Sequence, residues 1–323
     1  MWKQLNRILV AAAAVLTLGL AHADYPERPV TIVVPYGPGG GTDLLARLLA
    51  AEMSTQLGQK FIVENVPGAG GVVGTRKVME SKADGYMLLL GSGSELELMQ
   101  ITDPQAKLER WTPLAPVGLI GTQPMILVGR STMPARSTDA LIAAMRADPG
   151  KYSYASAGVG TQLNILGELI KSSARVDMRH VPYKAAGQIL TDVVGGHVDL
   201  AVMVLPSVLP QIRSGQVIAY GISDTQRSPA APEIPTLDES TTLHDIDMKI
   251  WYGLFSPAGV PAPIADKING AMRAALKQPA VKTKLLDMAV TAAPDPSAAR
   301  LMAIKQDGLA KIKTVFEAIK PEK

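Results

Sequence analysis

The chain has 323 residues, long for one core and sufficient for two. Its 47 % apolar and 19 % charged residues, the apolar ones running through the whole length, exclude a disordered chain. A formal net charge of +3 and the absence of cysteine leave no basic footprint for nucleic acid, no disulfides and no thiolate metal site.

The first 23 residues read as a signal peptide. Lys3 and Arg7 form a basic start, Ile8 to Leu20 an apolar run, and Ala21-His22-Ala23 a cleavage site. The run reaches only about 20 Å as a helix, short of a bilayer core of about 30 Å. Cleavage after Ala23 removes Lys3, Arg7 and no acid, which lowers +3 to +1. The expected address is the periplasm, with Asp24 first in the mature chain.

Val30-Thr31-Ile32-Val33-Val34 is a β-branched run of the kind that makes a buried parallel strand. The turn Tyr36-Gly37-Pro38-Gly39-Gly40-Gly41 follows, and Thr42 opens a helix that stops at Gly58. Phe61-Ile62-Val63 reads as a second strand, Pro67 to Gly71 as a second flexible turn, and the next helix ends near Lys82. Met87 to Leu90 is a third strand ending in Gly91-Ser92-Gly93-Ser94. A second series holds strands at Met125–Val128, Tyr152–Ala155, Met178–Val181, Val198–Val204 and Val217–Gly221. Its helices lie at Thr138–Ala147, from Gly158 to about Ser172, and at Gly187–Val194. The strand at Val198–Val204 is expected to end at Pro206-Ser207. Ile250–Phe255 is a further strand and the tail from about Pro263 is helical. Strand, glycine-rich turn and helix in repetition predict βαβ units in two α/β lobes with a ligand cleft between them.

The glycine turns do not read as nucleotide sites. A phosphate loop needs Lys where Gly41 stands, and Asp43 would repel phosphate. Gly68-Ala69-Gly70-Gly71 misses the dinucleotide spacing because position 73 is Val. What remains is anion capture by backbone N–H groups at helix starts, expected at Thr42, Ser94 and Thr161. His180, His197 and His244 share no ligand spacing, and no nucleophile elbow or cysteine is present. Neither enzyme chemistry nor a cofactor or metal is expected.

Many blocks in order carry a resemblance. They include Tyr25-Pro26-Glu27-Arg28-Pro29-Val30, Pro38-Gly39-Gly40-Gly41-Thr42-Asp43, Pro67-Gly68-Ala69-Gly70-Gly71, Ala83-Asp84-Gly85-Tyr86, Tyr154-Ala155-Ser156-Ala157-Gly158, His180-Val181-Pro182-Tyr183-Lys184 and Trp251-Tyr252-Gly253. From Tyr25 onward the chain resembles the Bug-type extracytoplasmic solute receptors of tripartite tricarboxylate transporters. The resemblance implies a two-lobed α/β Venus-flytrap binding protein with two crossings, here at Ala115–Gly121 and Ile250–Pro257. Lobe 1 is then 24–121 plus 250–323, and lobe 2 is 122–249. It implies a monomer that takes a small organic anion and delivers it to integral membrane subunits of a secondary transporter. A periplasmic sensory receptor is the alternative.

The ligand contacts implied for the first lobe fall on Tyr36, Pro38, Gly39, Gly40, Gly41, Thr42 and Asp43, then on Ser92, Ser94 and Glu95. In the second lobe they fall on Ala157, Gly158, Gly160, Thr161, Asn164, Tyr183 and Met203. The family usually has His at Asn164, often a polar or acidic residue at Met203, and Gly at Ala185. Glu95 is expected either as a solvated helix-start acid or as a cleft charge that meets an amine. With Met203 as apolar wall, the second case points to a monocarboxylate with an apolar body rather than citrate.

Overall fold

A computed structural model describes residues 25–98, 114–159, 161–183 and 186–319. The signal-peptide reading lies outside the described residues. The elements in chain order are β1 (Val30–Val34), α1 (Gly41–Leu57), β2 (Phe61–Asn65), α2 (Val72–Met79), β3 (Met87–Ser92), β4 (Leu114–Arg130), α3 (Thr138–Ala147), β5 (Ser153–Ser156), α4 (Gln162–Ala174), β6 (Arg179–Pro182), α5 (Ala186–Gly195), β7 (Leu200–Val204), α6 (Leu205–Arg213), β8 (Val217–Ile222), β9 (Lys249–Pro257), α7 (Ala262–Lys277), α8 (Pro279–Asp287), β10 (Thr291–Ala292) and α9 (Ala298–Ile319). A five-residue π turn, Ser94–Leu98, follows β3.

The first lobe is built on β2-β1-β3, all parallel, with β9 and then β4 added antiparallel. Alternation along β1 fills both faces. Ile32 and Val34 pack with Leu45, Leu49 and Leu254, while Val33 packs with Leu89, Trp251, Phe255 and Leu301. In the second lobe β7 lies between β4 and β5, and β6 closes that edge; β5 runs parallel to both β6 and β7. Its faces carry Leu127, Tyr154 and Leu166 on one side and Ile126, Ala155 and Met203 on the other. Each fully buried aliphatic or aromatic side chain contributes about 1.5–3 kcal/mol, so each lobe has a core of its own.

β4 belongs to both lobes. Leu114 to Pro124 pairs with β9, and Met125 to Arg130 pairs with β7 and β8. The expected crossing at Ala115–Gly121 and the expected strand at Met125–Val128 are thus one 17-residue strand, irregular near Pro116/Gly118 and Leu119/Gly121. Ser223 ties the two crossings together. Its hydroxyl accepts the Met125 N–H (3.1 Å) and donates to the Met248 carbonyl (2.6 Å). α9 is a third link, because Leu301 packs in the first-lobe cluster and Ile312 in the second-lobe one.

β7 ends at Val204, before the Pro206-Ser207 stop expected from the sequence. It passes straight into α6, whose Leu205 and Val208 are buried and whose Leu209 and Ile212 pack against the same cluster.

Candidate functional site

The carboxyl ends of β1, β3 and β5 release the three loops singled out in the sequence. These loops, residues 36–43, 92–95 and 156–161, contain no Lys, Arg or His. Ser94 Oγ donates to Gln162 Oε1 at 3.2 Å, which joins the first-lobe π turn to the start of α4.

On the first lobe, Pro38 to Gly41 form an exposed turn, with Gly39 at φ +85°, a left-handed conformation that favours glycine. Gly40 caps α1 without any side-chain hydrogen bond, so the opening N–H groups at Gly41, Thr42 and Asp43 are left to whatever enters the turn. Asp43 faces inward and is buried. Its carboxylate accepts the Gly39 N–H (2.9 Å), the Asn65 amide (3.0 Å) and the Arg47 guanidinium (3.0 Å). The Arg47 bond, with the other donors, holds its pKa below the usual carboxylate range despite burial. The side chain of Asp43 thus fixes the turn, while its N–H stays at the helix opening.

Glu95 overturns the expectation of a solvated acid. It is fully buried. Its carboxylate accepts the Tyr36 hydroxyl (2.5 Å), the Ser92 hydroxyl (2.6 Å) and the Ser92 N–H. Burial is the largest influence on its pKa and raises it, opposed by these three donors. Burial together with the neighbouring Glu95 carboxylate pushes the Tyr36 phenol well up. The helix start expected at Ser94 is the π turn, too short to act as a helix terminus.

On the second lobe Gly158 lies at φ +117°. Thr161 caps α4: its Oγ1 accepts the Asn164 N–H (3.2 Å) and donates to the Gly158 carbonyl (2.8 Å). The other polar side chains here are also committed. Asn164 Nδ2 donates to Tyr154 Oη (2.7 Å), which donates to Glu168 (2.6 Å). Ser156 Oγ meets His180 Nε2 at 2.7 Å, and the His180 ring stacks on Tyr154. Tyr183 donates to Asp192, whose carboxylate pushes the phenol up to about 12. Met203 and Ala157 pack with the β4–β7 apolar cluster. Gly160 lies outside the described residues.

Sequence reasoning missed Gln162, Gln123 and the side chain of Tyr252. Tyr252 Oη sits 3.8 Å from where a Cβ on Gly41 would stand and donates to Gln123 Oε1 at 2.8 Å. A signal existed in Trp251-Tyr252-Gly253, read only as part of a crossing.

Beneath α9 lies a cavity of about 130 Å³ lined by Glu97, Gln162, Trp251, Arg300 and Gly308, among others. Gln162, which opens α4, also lines it, and a Cβ on Gly93 would lie 2.8 Å from Glu97 Oε2, so the cavity adjoins the loop cluster at these residues. Glu97 Oε1 accepts the Trp251 indole N–H (2.7 Å), and its Oε2 has no hydrogen-bond partner among the described residues. Burial pushes the Glu97 pKa up to about 8. Among the described residues no group of three or more His, Cys, Asp and Glu is arranged to hold a metal ion.

The arrangement offers an anion backbone N–H groups at two helix starts, and the three loops themselves hold no Lys, Arg or His. A family model described as the tripartite tricarboxylate transporter family receptor, TctC, matches residues 45–320. Protein BugT of Bordetella pertussis is 36 % identical over 287 residues, which covers 86 % of each chain. The structure of MatC from Rhodopseudomonas palustris with bound malate is 31 % identical and has a TM-score of 0.77, covering 90 % of this chain and 99 % of that one. R. palustris Rpa4515 with adipate is 28 % identical, with a TM-score of 0.80 over 91 % of this chain and 97 % of that one.

Proposed function

The chain belongs to the receptor family of tripartite tricarboxylate transporters, and from that premise we propose that it captures a small organic carboxylate in the periplasm for the membrane subunits of such a transporter. The observation that carries the reading is the pair of helix openings at the carboxyl ends of parallel strands, at Gly41–Asp43 in the first lobe and at Gln162–Leu163 in the second, the second tied to the first-lobe π turn by the Ser94–Gln162 bond. Opening N–H groups and the positive helix end favour an anion without a charged side chain. The malate and adipate carried by two structural neighbours agree in chemical class.

The protein acts by binding and lobe closure and performs no chemistry. Its lobes are 24–121 plus 250–323 and 122–249, a division supported by the four apolar clusters. Export ends with cleavage after Ala23. Bridging waters complete the hydrogen bonds that the backbone leaves open, since a water bridge is nearly as favourable as a direct bond.

Native mass spectrometry of freshly purified periplasmic protein tests the reading. The expected result is a retained small organic anion, released on unfolding, on a chain that begins at Asp24. A retained cation or neutral sugar, or failure of every carboxylate tried to raise the melting temperature, overturns it.

A further inference from the structure

Tyr36 and Ser92, implied as ligand contacts by the resemblance, carry three donors: the Tyr36 hydroxyl, the Ser92 hydroxyl and the Ser92 N–H. All three turn to the Glu95 carboxylate. Glu95 has little freedom to let them go. A Cβ on Gly71 would lie 2.8 Å from Glu95 Cβ, and one on Gly91 3.0 Å from Glu95 Oε1, so the side chain is enclosed on two sides. Its oxygens already have their donors, so the amine expected from the sequence is not needed to satisfy it. What the first lobe still presents to an anion is the opening of α1, room for one carboxylate head.

Some of the exposed apolar side chains lie on the segments that leave the parallel strands. Among the described residues, few large apolar side chains are exposed. Leu44 in the first turn of α1 is one, Val73 in the first turn of α2 another, and Val159 beside Gly158 a third. Each lies on a segment that follows β1, β2 or β5, at the edge where those parallel strands end. With the openings of α1 and α4 both engaged on one head, a second ionised head would meet that apolar surface and the withheld donors, and an unpaired charge shielded from water is unfavourable.

We propose that Glu95 is a specificity-determining residue: by holding Tyr36 and Ser92 away from the ligand, it restricts the cleft to carboxylates with a single charged head and an apolar body. This rests on the carboxylate-capture reading above. Glu95 acts through the donors it withholds, not by contact with the ligand.

Hexanoate and adipate form a matched pair of probes, equal in carbon number and different by one carboxylate. Titration calorimetry of the mature protein is expected to show hexanoate binding at least tenfold more tightly than adipate. Glu95→Gln replaces one accepting oxygen with an N–H donor and frees a Ser92 or Tyr36 donor. It should move the hexanoate-to-adipate ratio at least tenfold towards adipate. Glu95→Asp retracts the carboxylate by one methylene, keeps the charge, and should shift the ratio in the same direction if the Gln variant does not fold. A general loss of packing would weaken both probes alike and leave the ratio where it was. Adipate binding more tightly than hexanoate in the unsubstituted protein, or an unchanged ratio in the folded variant, overturns the proposal and leaves carboxylate capture standing. Failure of both probes, and of malate and citrate, overturns both readings.

Discussion

Two buried carboxylates with opposite electrostatics define the residue scale. Asp43 holds three kinds of donor, and its guanidinium partner Arg47 stays half exposed. Asp43→Ala would take the acceptor from the Gly39 N–H and the Arg47 guanidinium and leave the Asn65 amide with the Tyr36 carbonyl alone, and is expected to cost about 1–3 kcal/mol. Because the folded pKa is depressed, this stability is present above the unfolded carboxylate range and is lost as pH falls through the folded value. Acid titration of unfolding should therefore show a steeper loss below pH of about 4 in the unsubstituted protein than in the variant. Equal acid limbs would contradict the assignment. Glu97 behaves in the reverse sense. Its folded pKa is raised to about 8, so the proton it retains stabilises the fold at low pH, and that contribution falls as pH rises from the unfolded value through about 8. Glu97→Gln keeps the shape without the titration. Its stability should change less between pH 5 and pH 8, with an advantage over the parent at pH 8 on the order of a few kcal/mol. Parallel pH profiles for the two proteins would show that Glu97 is not a buried proton-holding group.

At the scale of elements, α4 is seated by a missing side chain. A Cβ on Gly167 would stand 2.2 Å from the Tyr154 ring, which itself holds Asn164 and Glu168 on the same helix. Gly167→Ala should displace α4 from β5 and cost about 1–3 kcal/mol as an overpacked contact. Denaturant titration checks the stability. A loss below about 0.5 kcal/mol would mean that the helix shifts freely, as distant surface substitutions allow. The sequence showed β1 and α1 plainly, because a β-branched run, a glycine turn and a leucine stripe with a terminal Gly58 all agree. It hid α6, although Leu205, Val208, Leu209 and Ile212 keep helical spacing, because Pro206 and Pro210 signal a break. In a nine-residue helix Pro206 occupies the first turn, where its missing N–H has no intrahelical partner anyway. β4 was cut in two because Pro116, Gly118, Gly121 and Pro124 punctuate it, and a strand shared by two sheets tolerates such irregularities. The loops of the site were legible from their glycines. The internal commitments of Glu95, Asn164 and Tyr183 were less so: Ser92 lies three residues from Glu95, but Tyr36, Tyr154 and Asp192 are brought up by the packing of other segments.

For the whole molecule the joint between lobes is narrow. β4, the entry into β9 and α9 cross it, and the Ser223 hydroxyl links the first two. Ser223→Ala leaves a buried N–H and a buried carbonyl each short of a bond. We expect a cost of about 1–3 kcal/mol and a less compact average shape without ligand by X-ray scattering. An unchanged radius of gyration would place the hinge elsewhere. The central claim is that two helix openings, not cationic side chains, capture the anion. It is tested most directly by amide chemical-shift mapping of isotope-labelled protein titrated with its tightest-binding carboxylate. The account predicts the largest shifts at the N–H groups of Gly41, Thr42, Asp43, Gln162 and Leu163. Shifts concentrated instead at Glu97, Arg300 and Gly308, with the Gly41, Thr42 and Asp43 amides unmoved, would contradict it.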